Sequence, residues 1–274
     1  MKQLFLKALF GRGAPGARMA LYRLREAFGD FSRSRRYRWS DSVLMQNRNA
    51  HAGETCVIVG NGPSLNRTDT ALLQGKHSFG MNRIYIGLDD LGFVPSFYVC
   101  VNQLVIEQCW EDILQLTMPK FISSNAGVRS RRDTDAVFLR TRKSASHRDC
   151  GSFFSCNPIA GVWEGATVTY VAMQLAYWMG FWKVILIGVD HSFTTKGKPH
   201  TTVVSDGDDP DHFSGQYFGK GFKWQLPDLD TSAVAYRMAE LSFRAVGRDI
   251  VDCTVGGQCP VFRKGDLGKE LSLG

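Results

Sequence analysis

Gly60-Asn61-Gly62-Pro63-Ser64 separates a run of β-branched residues from a polar stretch. Two glycines let a ligand approach the main chain closely, and Pro63 fixes φ for a turn or a first helical turn. Ser64 or Asn66 can cap a helical turn at this point. A hydrophobic strand that feeds such a turn presents main-chain N–H groups to an anion, usually a phosphate. The same residues also suit an ordinary strand-to-loop corner. No Walker A lysine comes after them, and the spacing is not G-x-G-x-x-G.

Asparagines recur after later apolar runs, at Asn82, Asn102 and Asn125. An amide donates and accepts, which suits ribose hydroxyls, a pyrimidine edge or a sugar, although one asparagine after a strand is commonly turn chemistry. Asp190-His191 ends the most apolar strand, and His200 and His212 follow in a polar, glycine-bearing stretch. An imidazole is a natural general base near neutrality. Gly165, Ala166 and Thr167 stand where a helix is expected to open, and its free N–H groups and dipole would favour a phosphate. Asp206, Asp208, Asp209 and Asp211 cluster beside His212 but lack calcium-loop order. They read as solvated or as a weak metal site, and no metal set is assigned.

These residues need a scaffold that brings strand ends together. Short strands are expected at 56–59, 77–81, 96–101, 120–123, 136–139, 183–189 and 250–254. Helices are expected at 68–73, 84–91, 105–116, 161–179 and 232–246. Strands alternating with helices predict an α/β, Rossmann-like, mostly parallel sheet with helices on both faces. Ligands then bind beyond the carboxyl ends of the strands. Residues 194–223 are expected as a lid or binding loop. Arg129, Arg131, Arg132, Arg140, Arg142 and His147 lie in aperiodic sequence around one strand, either closing over an anion or forming a solvated surface.

The whole chain suits one large domain, here 51–262, preceded by a basic leader (1–50) and followed by a tail (263–274). Ten basic residues up to Arg38 face only Glu26 and Asp30, while the chain's net charge is +7. The leader therefore carries the charge and the body is near neutral. Its apolar and basic positions at helical spacing fit a helix resting on anionic lipid, or one packed on the body. Vesicle sedimentation after deletion of residues 1–40 separates the two. Nucleic acid is disfavoured, because aromatic residues are not interleaved as stacking platforms. Seven cysteines without CxxC spacing argue against a disulfide framework and for a reducing cytoplasm.

Several motifs occur in order along the chain: IVGNGPSL, FGMNRIY, YVCVN, the block GATVTYVAMQLAYWMGFWKVILIGVDHSF, HF with YFGKG, and GRDIVDCTVGG. Together they resemble the MptE-like domain family, named for an archaeal 6-hydroxymethylpterin diphosphokinase. That family includes the domain of flagellin-modifying motility-accessory-factor proteins, which attach nonulosonic acids. The turn and the strand ends are also similar to those of bacterial CMP-sialic-acid-dependent sialyltransferases. The resemblance implies a glycosyltransferase taking a CMP-activated acidic sugar to a glycan or lipid-linked acceptor. Gly60, Asn61, Gly62 and Ser64 would then cradle the phosphate, Asn82 and Asn102 would hold the ribose, base or sugar, and His212 or His191 would be the base. No metal is needed for a CMP sugar. It equally implies a diphosphokinase, with Asp190 and one of Asp206–Asp211 holding Mg²⁺ on ATP. A nucleotide-sugar-binding module without catalysis is a third reading. The basic leader, suited to surface-glycan assembly, favours the transferase.

Overall fold

The computed structural model of the chain describes residues 37–126, 135–143 and 153–273. The basic leader up to residue 36, the arginines at 129–132 and His147 lie outside the described residues. The chain divides into two compact units, 1–42 and 43–274. Of the first, only 37–42 are described, and they open helix α1 (Arg38–Gln46).

The second unit is built on strands whose sequences are almost uniformly apolar, as expected where both faces of a parallel sheet are covered. β1 (Thr55–Val59), β2 (His77–Met81), β3 (Phe97–Cys100), β4 (Lys120–Ser123) and β5 (Ala136–Leu139) come first. Between them lie single helical turns, including α2 (Leu88–Leu91), and one longer helix, α3 (Gln103–Gln115). A two-residue pair, β6 (Thr141–Arg142) with β7 (Val162–Trp163), leads into α4 (Val168–Met179) and then β8 (Lys183–Ile187). Beyond β8 come an antiparallel ribbon, β9 (Thr202–Val204) with β10 (Lys223–Gln225), α5 (Leu229–Arg244) and β11 (Asp249–Asp252). β12 (Arg263–Lys264) and α6 (Leu267–Ser272) complete it.

Eight strands form one sheet in the order β12-β11-β8-β1-β2-β3-β4-β5. Every pairing in it is parallel. The chain lays strands outward from β1 on one side, then returns to β1's other edge with β8 and works outward again. The strand order therefore reverses between β1 and β8, which is where open α/β sheets bind ligands. The expected Rossmann-like α/β fold is present.

α4 is buried along nearly its whole length and packs against β1, β2, β3 and α5. It starts later than expected. Gly161, Gly165 and Ala166 take positive φ (123°, 54° and 59°), so the residues before Thr167 form a turn. The stretch expected as a tail is ordered over 263–273: β12 pairs with β11, and Glu270 meets the buried Lys183 at 3.5 Å. The six cysteines among the described residues are free. No described helix is long and apolar enough to cross a membrane.

Candidate functional site

The turn after β1 and the turn after β8 are fastened to each other across the point where the strand order reverses. Gly60 N–H donates to the Ile187 carbonyl at 2.8 Å, and Gly62 N–H to the Gly188 carbonyl at 2.9 Å. Ser64 gives its N–H to Asp190 Oδ1 (3.2 Å) and its hydroxyl to Oδ2 (2.6 Å). A Cβ at Gly60 would stand 2.2 Å from the Gly188 carbonyl oxygen, and one at Gly62 would stand 1.9 Å from Asp190 Oδ2. These glycines are thus demanded by the neighbouring strand end rather than by a ligand. The N–H groups of Gly60, Gly62 and Ser64, expected to cradle a phosphate, already have protein acceptors. The Asp190 carboxylate takes the place of an external anion.

Asn61 differs. Its side chain is buried and donates to the Met81 carbonyl at 3.1 Å, yet its Oδ1 is buried without a partner among the described residues. A buried amide oxygen left unpaired costs about 1–3 kcal/mol, so such a group is a natural place for a ligand's N–H or O–H. Asn82 follows β2 in the left-handed region, φ 49°, with its carbonyl accepting from Tyr98 Oη (2.5 Å) and its Oδ1 from Cys100 Sγ (3.4 Å). Asn102 is the N-cap of α3, its Oδ1 accepting from Leu104 and Val105 N–H. That is turn chemistry, and it leaves this oxygen no role with ribose or base. Thr167 likewise caps α4 through Thr169 N–H, and Gly165 is glycine because Tyr170 and Ala235 crowd it.

Residues 209–218 make the other half of the site. Of the acidic cluster, Asp206 and Asp208 are exposed as expected, but the other two members are not. Asp209 and Asp211 are buried. Asp211 receives the N–H and hydroxyl groups of both Thr194 and Thr195. Burial pushes its carboxyl up, but these four donors outweigh it and hold the pKa below the usual value. Asp209 accepts from Asp211 N–H, Phe218 N–H and His212 Nδ1, the last at 2.9 Å to each oxygen. The His212 ring stacks on Tyr217, centroids 4.0 Å apart and planes 5° off parallel. An imidazole whose Nδ1–H is held by a carboxylate carries its lone pair on Nε2.

This segment is seated on the strand ends. Phe213 N–H donates to the Asn61 carbonyl (2.9 Å), and Asn66 Nδ2 donates to the Phe213 carbonyl (2.7 Å). Arg83, the residue after Asn82, gives its N–H to Tyr217 Oη and its guanidinium to the carbonyls of Gln216 and Tyr217. Arg83 also lies over the Phe222 ring at 5.0 Å. The stretch expected as a polar lid thus has an aromatic centre, in which Phe218 stacks on Phe222 and Trp224. His200, further along, is exposed and bonds Asp228 at 3.2 Å.

His191, next to Asp190 in sequence, is half-buried in the left-handed region (φ 55°), with its ring 6.0 Å from Tyr236. Burial and the nearby Lys264 ammonium hold its pKa below the ordinary 6.5, against the opposite pull of Asp230 and Asp252. His191 thus follows β8, while His212 lies in the segment bonded to the turn after β1. Of these two, His212 has a ring nitrogen held by a carboxylate. Two open clefts, of about 440 and 460 Å³, lie elsewhere, along α3 and beside α2.

The family model of 6-hydroxymethylpterin diphosphokinase MptE-like proteins matches residues 38–196, more than half of the chain. The chain belongs to the MptE-like family. The matched stretch holds the glycine turn, Asn82, Asn102 and Asp190-His191, and stops short of His212. Among solved structures, this MptE-like chain is similar to the MAf glycosyltransferase from Magnetospirillum magneticum AMB-1, at 15% identity and a TM-score of 0.48. The alignment covers 92% of this chain and 42% of that one, so the chain spans about two fifths of that protein's length. No curated protein matches it.

Proposed function

We propose that this MptE-like chain is a glycosyltransferase that moves a CMP-activated acidic sugar to a glycan or lipid-linked hydroxyl, with His212 as general base. The observation that carries this reading is the Asp209–His212 pair beside Asn61, where the strand order reverses. Asp209 holds Nδ1–H and leaves Nε2 to take the acceptor's proton. As the acceptor oxygen bonds to the anomeric carbon, the bond to the nucleotide phosphate breaks and CMP leaves with that electron pair. Asn61 Oδ1, without a partner among the described residues, accepts from the cytosine amino group or a sugar hydroxyl. Holding Nδ1 is what a buried carboxylate does for a catalytic imidazole in hydrolases built on a Ser-His-Asp triad.

The family description suggests a second reading, ATP-dependent diphosphoryl transfer, which would need Mg²⁺. Three of the carboxylates expected to hold it are already occupied within the protein, while Asp206 and Asp208 are exposed. Asp190 is taken up by Ser64, Asp209 by three donors and Asp211 by four.

The test pairs His212→Ala with the native chain, using a CMP-linked nonulosonic acid as donor. Turnover is expected to fall about 10²–10⁴-fold while stabilisation by CMP in a thermal-shift assay is kept. A native chain stabilised by ATP with Mg²⁺ and not by CMP sinks the transferase reading. CMP binding with no turnover for any donor would make the chain a binding module.

A further inference from the structure

We propose that His51, Glu54 and His77 form a zinc site at the end of the sheet opposite the transfer centre. His51 Nδ1 and His77 Nε2 each lie 2.9 Å from one and the same oxygen, Glu54 Oε2. All three candidate ligand atoms fall within 4.8 Å of one another, the one such grouping of His, Cys, Asp and Glu among the described residues. Zinc bonds of about 2.0–2.1 Å in tetrahedral array set ligand atoms about 3.3 Å apart. The two contacts to Glu54 Oε2 need to lengthen by only a few tenths of an ångström, and the Glu54 carboxylate is half-exposed. Two imidazoles with one carboxylate suit a borderline cation such as zinc better than magnesium or calcium, which prefer oxygen throughout.

The ligands are held before any ion arrives. His51 N–H donates to the Met179 carbonyl (2.8 Å), and Trp182 N–H donates to the Glu54 carbonyl (2.9 Å). His77 opens β2 in register with Cys56 of β1. The His51 ring stacks on Phe181, centroids 4.7 Å apart and 5° off parallel, and meets the His77 ring edge-on at 4.4 Å. Side-chain exposures of 41% at His77 and 47% at Glu54 leave a fourth position to water. β1 and β2 are five residues long, so this site stands about 17 Å from the turns that follow them. Zinc here would clasp the segment before β1, the start of β2 and the α4–β8 corner, and would take no part in sugar transfer.

The experiment uses the full chain without a histidine tag, stripped by chelator and titrated with zinc by calorimetry, with a melting curve at each end point. The native chain is expected to bind about one equivalent and to melt higher with zinc than with chelator, as metal binding adds to folding stability. Glu54→Gln should weaken binding at least tenfold, and His51→Ala/His77→Ala together should abolish both binding and shift. Cobalt in place of zinc should give the ligand-field bands of a low-coordinate site in the native chain only. Should the double variant fold poorly, His77→Gln on its exposed side chain is read alone for the same loss. Equal zinc affinity in native and variant chains, or no binding by the native chain at micromolar zinc, overturns the proposal.

Discussion

His191 and His212 show how neighbours divide two like side chains into different roles. His212 gives Nδ1–H to a buried carboxylate, while His191 meets burial and an ammonium group that both favour its neutral form. A histidine whose folded pKa lies below its unfolded value contributes stability above about pH 6.5. That contribution is lost as pH falls through the folded pKa, because the unfolded chain then binds the proton more readily. His191→Gln removes this term. Its melting temperature should fall less than the native one between about pH 7 and about pH 5. Parallel curves for the two chains would mean that His191 protonates as freely folded as unfolded. At this scale the sequence was a partial guide. It singles out His212, Asn61 and Asp190 as candidates, yet DGDDPDH reads as a solvated acidic patch. Nothing local reveals that Asp209 is buried beneath three donors, or that Asp211 ties down Thr194 and Thr195. Asn102 shows the converse, since an amide after a strand serves a cap as readily as a ligand.

Among the elements, strands were the most legible, because an apolar run between turn residues leaves little else for the chain to do. β2, β4 and β5 match the expected boundaries. The start of α4 was not legible: Gly165 and Ala166 favour a helix opening by sequence, but their positive φ makes them a turn. The 194–223 stretch hid its order as well, since Phe218, Phe222 and Trp224 meet only once the ribbon has folded. The glycine turn was found, but for a reason that changes its meaning. Gly62 has φ −69° and ψ 161°, a conformation open to any residue, so its identity is set by space alone. Gly62→Ala places a methyl against Asp190 Oδ2, and overpacking of this kind costs about 1–3 kcal/mol. Urea unfolding should show that loss, and it should shrink when Asp190→Ala is added to the same chain. An unchanged midpoint in the single variant would mean that the two strand ends part easily.

At the scale of the molecule, the α/β alternation was readable, but the sheet's true width was not. Two residues at 263–264 are too few to announce a strand, and the eighth place in the sheet depends on β11 being there to receive them. The same segment brings Glu270 to Lys183, whose side chain is 4% exposed inside the central β8. Ending the chain after Phe262 strands that ammonium without its carboxylate. Removing one partner of a buried pair costs about 3–5 kcal/mol, to which the lost edge strand adds. Circular dichroism melts of the shortened chain should show a large drop in melting temperature or no cooperative transition. A native-like melt would show that Lys183 finds water or another acceptor.

The bond between Ser64 and Asp190 joins residues 126 positions apart. While the chain is being synthesised, the first half emerges with one flank of β1 bare and its glycine corner lacking both Gly188 and Asp190. Competence to handle a substrate can therefore arise only when the returning half docks, so shape and chemistry are completed in a single late event.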